Sequence, residues 1–330
     1  MRQKRSEFPE TNQPTGMSHR HPLATFFALA YAISWLLWAP LWLPAFGVHG
    51  LPVLPFHHAL GALGPIAAAF LVSAMETGLA GPSDLLRRMG LWRGRFVWAA
   101  VALLAPFALL AFAVVGASVL GGESVSLAGF GSSREFPQFS ALAFLAYNIV
   151  SFGYGEEVGW RGFALPRLQT RHSALVASLL LTLGWALWHL PLFFYRPGYT
   201  SMDATGVAGW FFSLLTGAVL LTWFYNESRG SILVVALFHA AVDVAFTSGI
   251  SSPSVVNAAG ALITFWGIIV LVAAGPRFLS RRGKMIRLDD GGAVTGFVHR
   301  DGRVAPTAAN PSIEGTASVL RPPAAPHVKR

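Results

Sequence analysis

Cysteine is absent from the 330 residues, which excludes a disulfide framework, a thiolate metal ligand and a cysteine nucleophile. Charge is nearly as scarce. Asp, Glu, Lys and Arg together make up 12% of the chain, about half of the roughly 25% found in ordinary soluble domains. With 54% hydrophobic residues and a mean hydropathy of +0.53, the composition excludes a disordered chain and a coiled coil and points to a bilayer. Repeats of 20–50 residues are also missing, so a solenoid is excluded.

What the chain does have is a series of long apolar stretches, each near the ~20 residues that cross ~30 Å of hydrocarbon. They fall at about 22–46, 56–78, 96–120, 139–163, 174–195, 206–225, 231–250 and 256–275. The expected fold class is therefore an all-α polytopic membrane protein with about eight transmembrane helices. The first stretch starts too late and runs too long for a cleavable signal peptide, and it reads as a retained anchor. Basic residues sort by loop: 22 of the 24 lie on one side of this topology, and only Arg134 and Arg196 lie on the other. The positive-inside rule then places both termini in the cytoplasm, which needs an even number of spans. The formal charge of +9 thereby becomes an orientation signal, and no nucleic-acid partner is expected. Arg277, Arg281, Arg282, Lys284 and Arg287 form a juxtamembrane cluster that can also touch anionic headgroups of the lipid bilayer. This divides the chain into a cytoplasmic segment 1–21, a transmembrane helical domain 22–276 and a basic tail 277–330 read as disordered. A multi-pass protein of a prokaryotic plasma membrane is the expected setting.

In a chain this apolar, ionisable groups inside spans are the informative residues, because each costs ~2.5–3.5 kcal/mol at the bilayer centre on insertion scales. Glu156, Glu157, His189, His239 and Asp243 are those groups. Helical residues are ~100° apart, so adjacent Glu156 and Glu157 point in different directions. Glu157 and Arg161 are i,i+4 neighbours that can pair on one face, which leaves Glu156 free to face a cavity. The division of labour expected is Glu157–Arg161 as structure and Glu156 as chemistry. His189 precedes Pro191, which frees backbone groups and opens the helix locally. His239 and Asp243 share a face at i,i+4, a spacing that suits two ligands of one metal or two groups on one substrate oxygen.

Glu156-Glu157-x-x-x-Arg161, Trp185-x-x-x-His189 and His239-x-x-x-Asp243, in this order on three spans, resemble the motifs of the CAAX-protease and bacteriocin-processing (CPBP, or Abi) family of intramembrane proteases. The resemblance covers about 140–250 and implies hydrolysis of peptide bonds in membrane-associated peptides or proteins. Carried over, it makes Glu156 the general base that activates water, with His189 assisting. His239 and Asp243 would stabilise the oxyanion or hold a metal, and Glu157, Arg161 and Trp185 would shape the site. If a divalent metal such as Zn²⁺ takes part, Glu156, His189, His239 and Asp243 are its candidate ligands. Hydrolysis needs water, and the cavity is expected to open to the cytoplasm. The chain contains no Gly-x-Ser-x-Gly, His-Glu-x-x-His or Gly-Asp motif, which disfavours other intramembrane protease chemistries. Mid-membrane acids and histidines equally suit a non-catalytic alternative, a proton-coupled transporter or regulatory scaffold.

Overall fold

The computed structural model describes residues 21–90, 95–133, 137–249, 252–287 and 295–306. The expectations for residues 1–20 and 307–330 lie outside that set. Among the described residues the chain is built from nine helices and one small sheet. These are α1 (Pro22–Leu37), α2 (His57–Thr77), α3 (Ala80–Met89), α4 (Phe96–Gly121), α5 (141–171), α6 (Ala174–Trp188), α7 (Ala204–Glu227), α8 (Ile232–Thr247) and α9 (Pro253–Ala274). Strands β1 (Gly283–Arg287), β2 (Thr295–His299) and β3 (Val304–Pro306) follow.

Proline sets the breaks. α1 stops at Leu37 and bends by 56° into a short helical piece, Ala39–Phe46, where Pro40 and Pro44 withhold backbone donors. α6 likewise ends at Trp188, and a 3₁₀ turn with Pro191 near its start takes over at Leu190–Phe194. His189 is the residue at that junction, as Pro191 led one to expect.

Five helices are long and apolar enough to cross a bilayer, or six if the bent α1 pair is one span. The structure thus supports a mostly helical integral membrane protein, with two of the eight expected spans outside this count for identifiable reasons. α8 has only 16 helical residues, or about 24 Å at 1.5 Å per residue, short of ~30 Å of hydrocarbon. α5 carries Glu156, Glu157 and Arg161, and it alternates between α-helical and π-helical turns at Ile149–Tyr154 and Val158–Ala164. Pro166 has no N–H for the carbonyl one turn upstream, and the second π stretch ends beside it.

Small residues let α5 lie close to α2. A Cβ on Gly155 would sit 2.8 Å from the Ala62 carbonyl oxygen, and one on Gly159 would sit 2.7 Å from that of Pro65. These glycines are one turn apart, so a single glycine face meets the α2 backbone and sets the depth of Glu156 between them. Across α1 and α2, Ser34 Oγ donates to the Gly61 carbonyl (2.6 Å), and Trp38 Nε1 donates to that of His58 (2.7 Å). Tyr31 donates to the Gly184 carbonyl (2.6 Å), and Trp35 Nε1 to that of Trp188 (3.0 Å), which locks α1 alongside α6.

The bundle has two distinct ends. At one end sits the antiparallel sheet β1-β2-β3, with Met285 opposite Phe297 and both side chains buried. Asn226 of α7 and Gln169 of α5 bond each other (2.9 and 3.2 Å), and both bond the Met285 backbone. Lys284 Nζ donates to the carbonyls of Gln169 and His172 (2.6 Å each). Asp84 holds Arg88 (2.8 Å), whose guanidinium also donates to the Tyr225 hydroxyl (2.7 Å). These contacts correct the reading of 277–330 as a tail without structure: residues 283–306 include a docked sheet. Its strands are three to five residues long, too short to register as a periodic pattern. At the other end, Gly249 N–H donates to the Gly129 carbonyl (3.0 Å), and Ser133 bridges Ser248, joining the loop after α4 to the end of α8.

Candidate active site

Three elements bring the motif residues together: α5 supplies Glu156, Glu157 and Arg161, the end of α6 supplies Trp185 and His189, and α8 supplies His239 and Asp243. Glu156, His189, His239 and Asp243 line one cavity of about 810 Å³. Trp185 is the contact that three of them share. Its indole N–H donates to Glu156 Oε2 (2.8 Å), and its ring lies 5.6 Å from that of His189 and 5.7 Å from that of His239.

Glu156 is therefore not without partners. Oε2 accepts from Trp185 and also from Trp160 Nε1 (3.3 Å), one turn along α5. Both donors are neutral, so the carboxylate is held in place without an ion pair, and Oε1 remains for water. The side chain is only 4% exposed, yet it borders a cavity wide enough for solvent and a peptide.

Glu157 and Arg161 pair at 2.8 Å, and both are fully buried. The same Glu157 oxygen, Oε1, takes His239 Nδ1 at 2.7 Å, a contact between residues 82 positions apart. A carboxylate accepts, so the proton lies on Nδ1 and His239 turns Nε2 toward Asp243, 3.7 Å from Oδ2. The expected His239–Asp243 unit is thus a three-member chain, Glu157–His239–Asp243. Arg161 also places its guanidinium 4.6 Å from the Trp185 ring centroid, so the structural pair supports the residue that holds Glu156. His189 Nδ1 donates to the Trp185 carbonyl (2.7 Å), which leaves Nε2 as the ring atom able to accept a proton.

The candidate ligand set for a metal fares differently. Among the described residues no three His, Cys, Asp or Glu side chains are grouped closely enough to hold a metal ion. His189 and His239 each bond through Nδ1 and Glu156 Oε2 accepts two indoles, which leaves both Nε2 atoms and Oε1 uncommitted. As placed, the four residues are not gathered into a metal centre, and no step is derived through one.

Several cavity residues have no counterpart in the sequence reading. His58 stacks on Trp38 (5.6 Å, 11°), and its Nδ1 lies 2.7 Å from the Tyr195 hydroxyl. Tyr199 stacks on His189 (6.3 Å, 10°). His58 lies in the first turn of α2, and no local spacing links residues 38, 58 and 195. The cavity's exposed edge is formed by Pro197, Gly198 and Thr247, at the end of the bundle away from the sheet. None of the loops at the sheet end lines it. Basic loops in the cytoplasm and a cavity open to the cytoplasm, both expected from sequence, are therefore incompatible in this fold.

A polytopic helical protein with acids and histidines converging on a cavity between its helices is the class defined so far. Residues 138–245 match the family model described as type II CAAX prenyl endopeptidase Rce1-like. The chain is also 32% identical over 150 residues to a CAAX prenyl protease 2 of Methanococcus maripaludis, covering 44% of this chain and 53% of that relative. Residues 138–245, which hold Glu156, His189, His239 and Asp243, are thus similar to the CAAX prenyl endopeptidase family. The chain spans about half the length of the curated relative it matches.

Proposed function

We propose that this protein is an intramembrane endopeptidase that hydrolyses peptide bonds of membrane-associated peptides or proteins, with Glu156 as the base. All eight helical passes would cross the bilayer, both termini on the cytoplasmic side. The observation that carries the reading is the fixed Glu156 carboxylate, bonded by Trp185 and Trp160, on the same cavity as His189, His239 and Asp243.

In the proposed step a water held between Glu156 Oε1 and His189 Nε2 attacks the scissile carbonyl carbon, and Glu156 takes its proton. With both ring nitrogens protonated, His239 donates Nδ1–H to Glu157 and offers Nε2–H to the developing oxyanion, with Asp243 orienting the ring. The tetrahedral intermediate collapses, the C–N bond breaks, and the proton on Glu156 passes to the leaving nitrogen. The products are a carboxylate and an amine.

Purified protein in detergent, given quenched-fluorescence peptides anchored by an apolar segment, tests this. Glu156→Ala and His189→Ala are expected to lose cleavage, about 10²–10⁴-fold for the base. If both variants cleave like the wild type, the site is misassigned. If the wild type cleaves nothing but moves a solute with protons in a Glu156-dependent way, the transporter reading replaces this one.

A further inference from the structure

Charge and cavity occupy opposite ends of the bundle. At the sheet end the described residues include Arg87, Arg88, Arg95, Arg171, Arg229 and Lys284, with further arginines on both sides of β1. They belong to one surface: Arg95 Nε donates to the Ser228 carbonyl (2.5 Å), Arg282 lies 3.4 Å from Glu227, and Arg287 lies 3.8 Å from the Glu76 carboxylate that also pairs with Arg167. Among the described residues of the far-end loops, Arg196 is the only Lys or Arg. The cavity edge, Pro197, Gly198 and Thr247, is at that poorly charged end. Short loops rich in Lys and Arg stay in the cytoplasm.

We propose that the active-site cavity opens on the extracytoplasmic side of the membrane, so that the substrate is a membrane-anchored protein whose cleaved segment lies on that side. The inference rests on the proteolytic reading for its substrate and on charge and geometry alone for its direction. The aromatic lining suits the kind of segment this implies. Trp38, His58, Phe152 and Tyr199 line the same cavity as Glu156 and would accept an apolar stretch leaving the outer face of the bilayer. The docked sheet covers the opposite end, away from any route to the cavity.

The absence of cysteine makes the test direct, since any single introduced thiol reports alone. Ser126 and Ser201 are exposed at the cavity end, and Ser83 is exposed at the sheet end. Intact bacterial cells expressing full-length Ser126→Cys, Ser201→Cys or Ser83→Cys are treated with a membrane-impermeant maleimide. Labelling of the first two in intact cells, and of Ser83→Cys only after lysis, is expected. The reverse pattern overturns the proposal. Single-span reporters carrying the same cleavable segment on the outer or the inner side supply the second arm. Cleavage of the outer reporter, lost in Glu156→Gln, supports the substrate assignment, and cleavage of the inner one alone overturns it. If neither reporter is cut, the peptidase reading fails with its substrate, while the labelling still decides the direction of the cavity.

Discussion

Removing Arg161 tests the buried chain beneath the site. Arg161 and Glu157 are both fully buried and paired at 2.8 Å, and Glu157 Oε1 also receives His239. Arg161→Ala leaves a buried carboxylate facing one imidazole and strips the cation from the Trp185 ring. Breaking one side of a buried pair costs about 3–5 kcal/mol. For a chain of this size that corresponds to a fall in Tm on the order of 5–10 °C. The companion double variant Glu157→Gln/Arg161→Ala keeps an acceptor for His239 and buries no net charge. It should recover much of the loss, with a coupling of roughly 0.5–3 kcal/mol. Thermal unfolding in detergent micelles, followed by intrinsic tryptophan fluorescence, reads all four corners of the cycle. Additive single effects, or an Arg161→Ala loss below about 1 kcal/mol, would refute the view that this pair is a compensated buried charge.

Three further outcomes follow from other parts of the fold. Gly159→Ala puts a methyl 2.7 Å from the Pro65 carbonyl oxygen and must push α5 off α2, so it should cost about 1–3 kcal/mol and reduce cleavage; unchanged Tm and activity would contradict the close-packed helix pair. Burial, and then the nearby Arg277, lower the Lys284 ammonium to about 8 from an ordinary 10.5. Between those values the unfolded chain binds the extra proton, so stability should rise with pH from about 8 to 10.5. Lys284→Met should flatten that rise, and an identical pH profile in the variant would show that Lys284 does not titrate there. Chelation tests the ligand set: prolonged EDTA treatment should leave Glu156-dependent cleavage intact, whereas stoichiometric Zn²⁺ that disappears in His239→Ala would assign a metal to the site after all.

Sequence legibility followed contact range. The Glu157–Arg161 pair, the break at His189 and the face shared by His239 and Asp243 are set by residues two to four positions apart, and spacing alone exposes such contacts. Charge scarcity singled out the four cavity residues, because burying an acid or histidine among apolar helices needs a reason. The Glu157–His239 bond crosses 82 positions, and the His58–Tyr195 contact crosses 137. Those depend on how α2, α5, α6 and α8 pack, which periodicity does not encode. The same holds for the docked sheet, whose partners on α5 and α7 lie more than fifty residues upstream. The end at which the cavity reaches solvent is illegible in the sequence for a related reason: loop charge reports which end faces the cytoplasm, while the position of the cavity emerges only from the fold.

The central claim is that the Glu156 carboxylate is the base. Glu156→Gln keeps the shape of the side chain and an amide oxygen that can still accept the Trp185 and Trp160 indoles, while removing the charge that takes a proton from water. Initial rates of membrane-peptide cleavage by wild type and Glu156→Gln, at matched Tm, are the direct comparison. A fall of about 10²-fold or more with unchanged Tm is predicted. A Glu156→Gln variant that folds and cleaves within a few-fold of wild type would contradict the account.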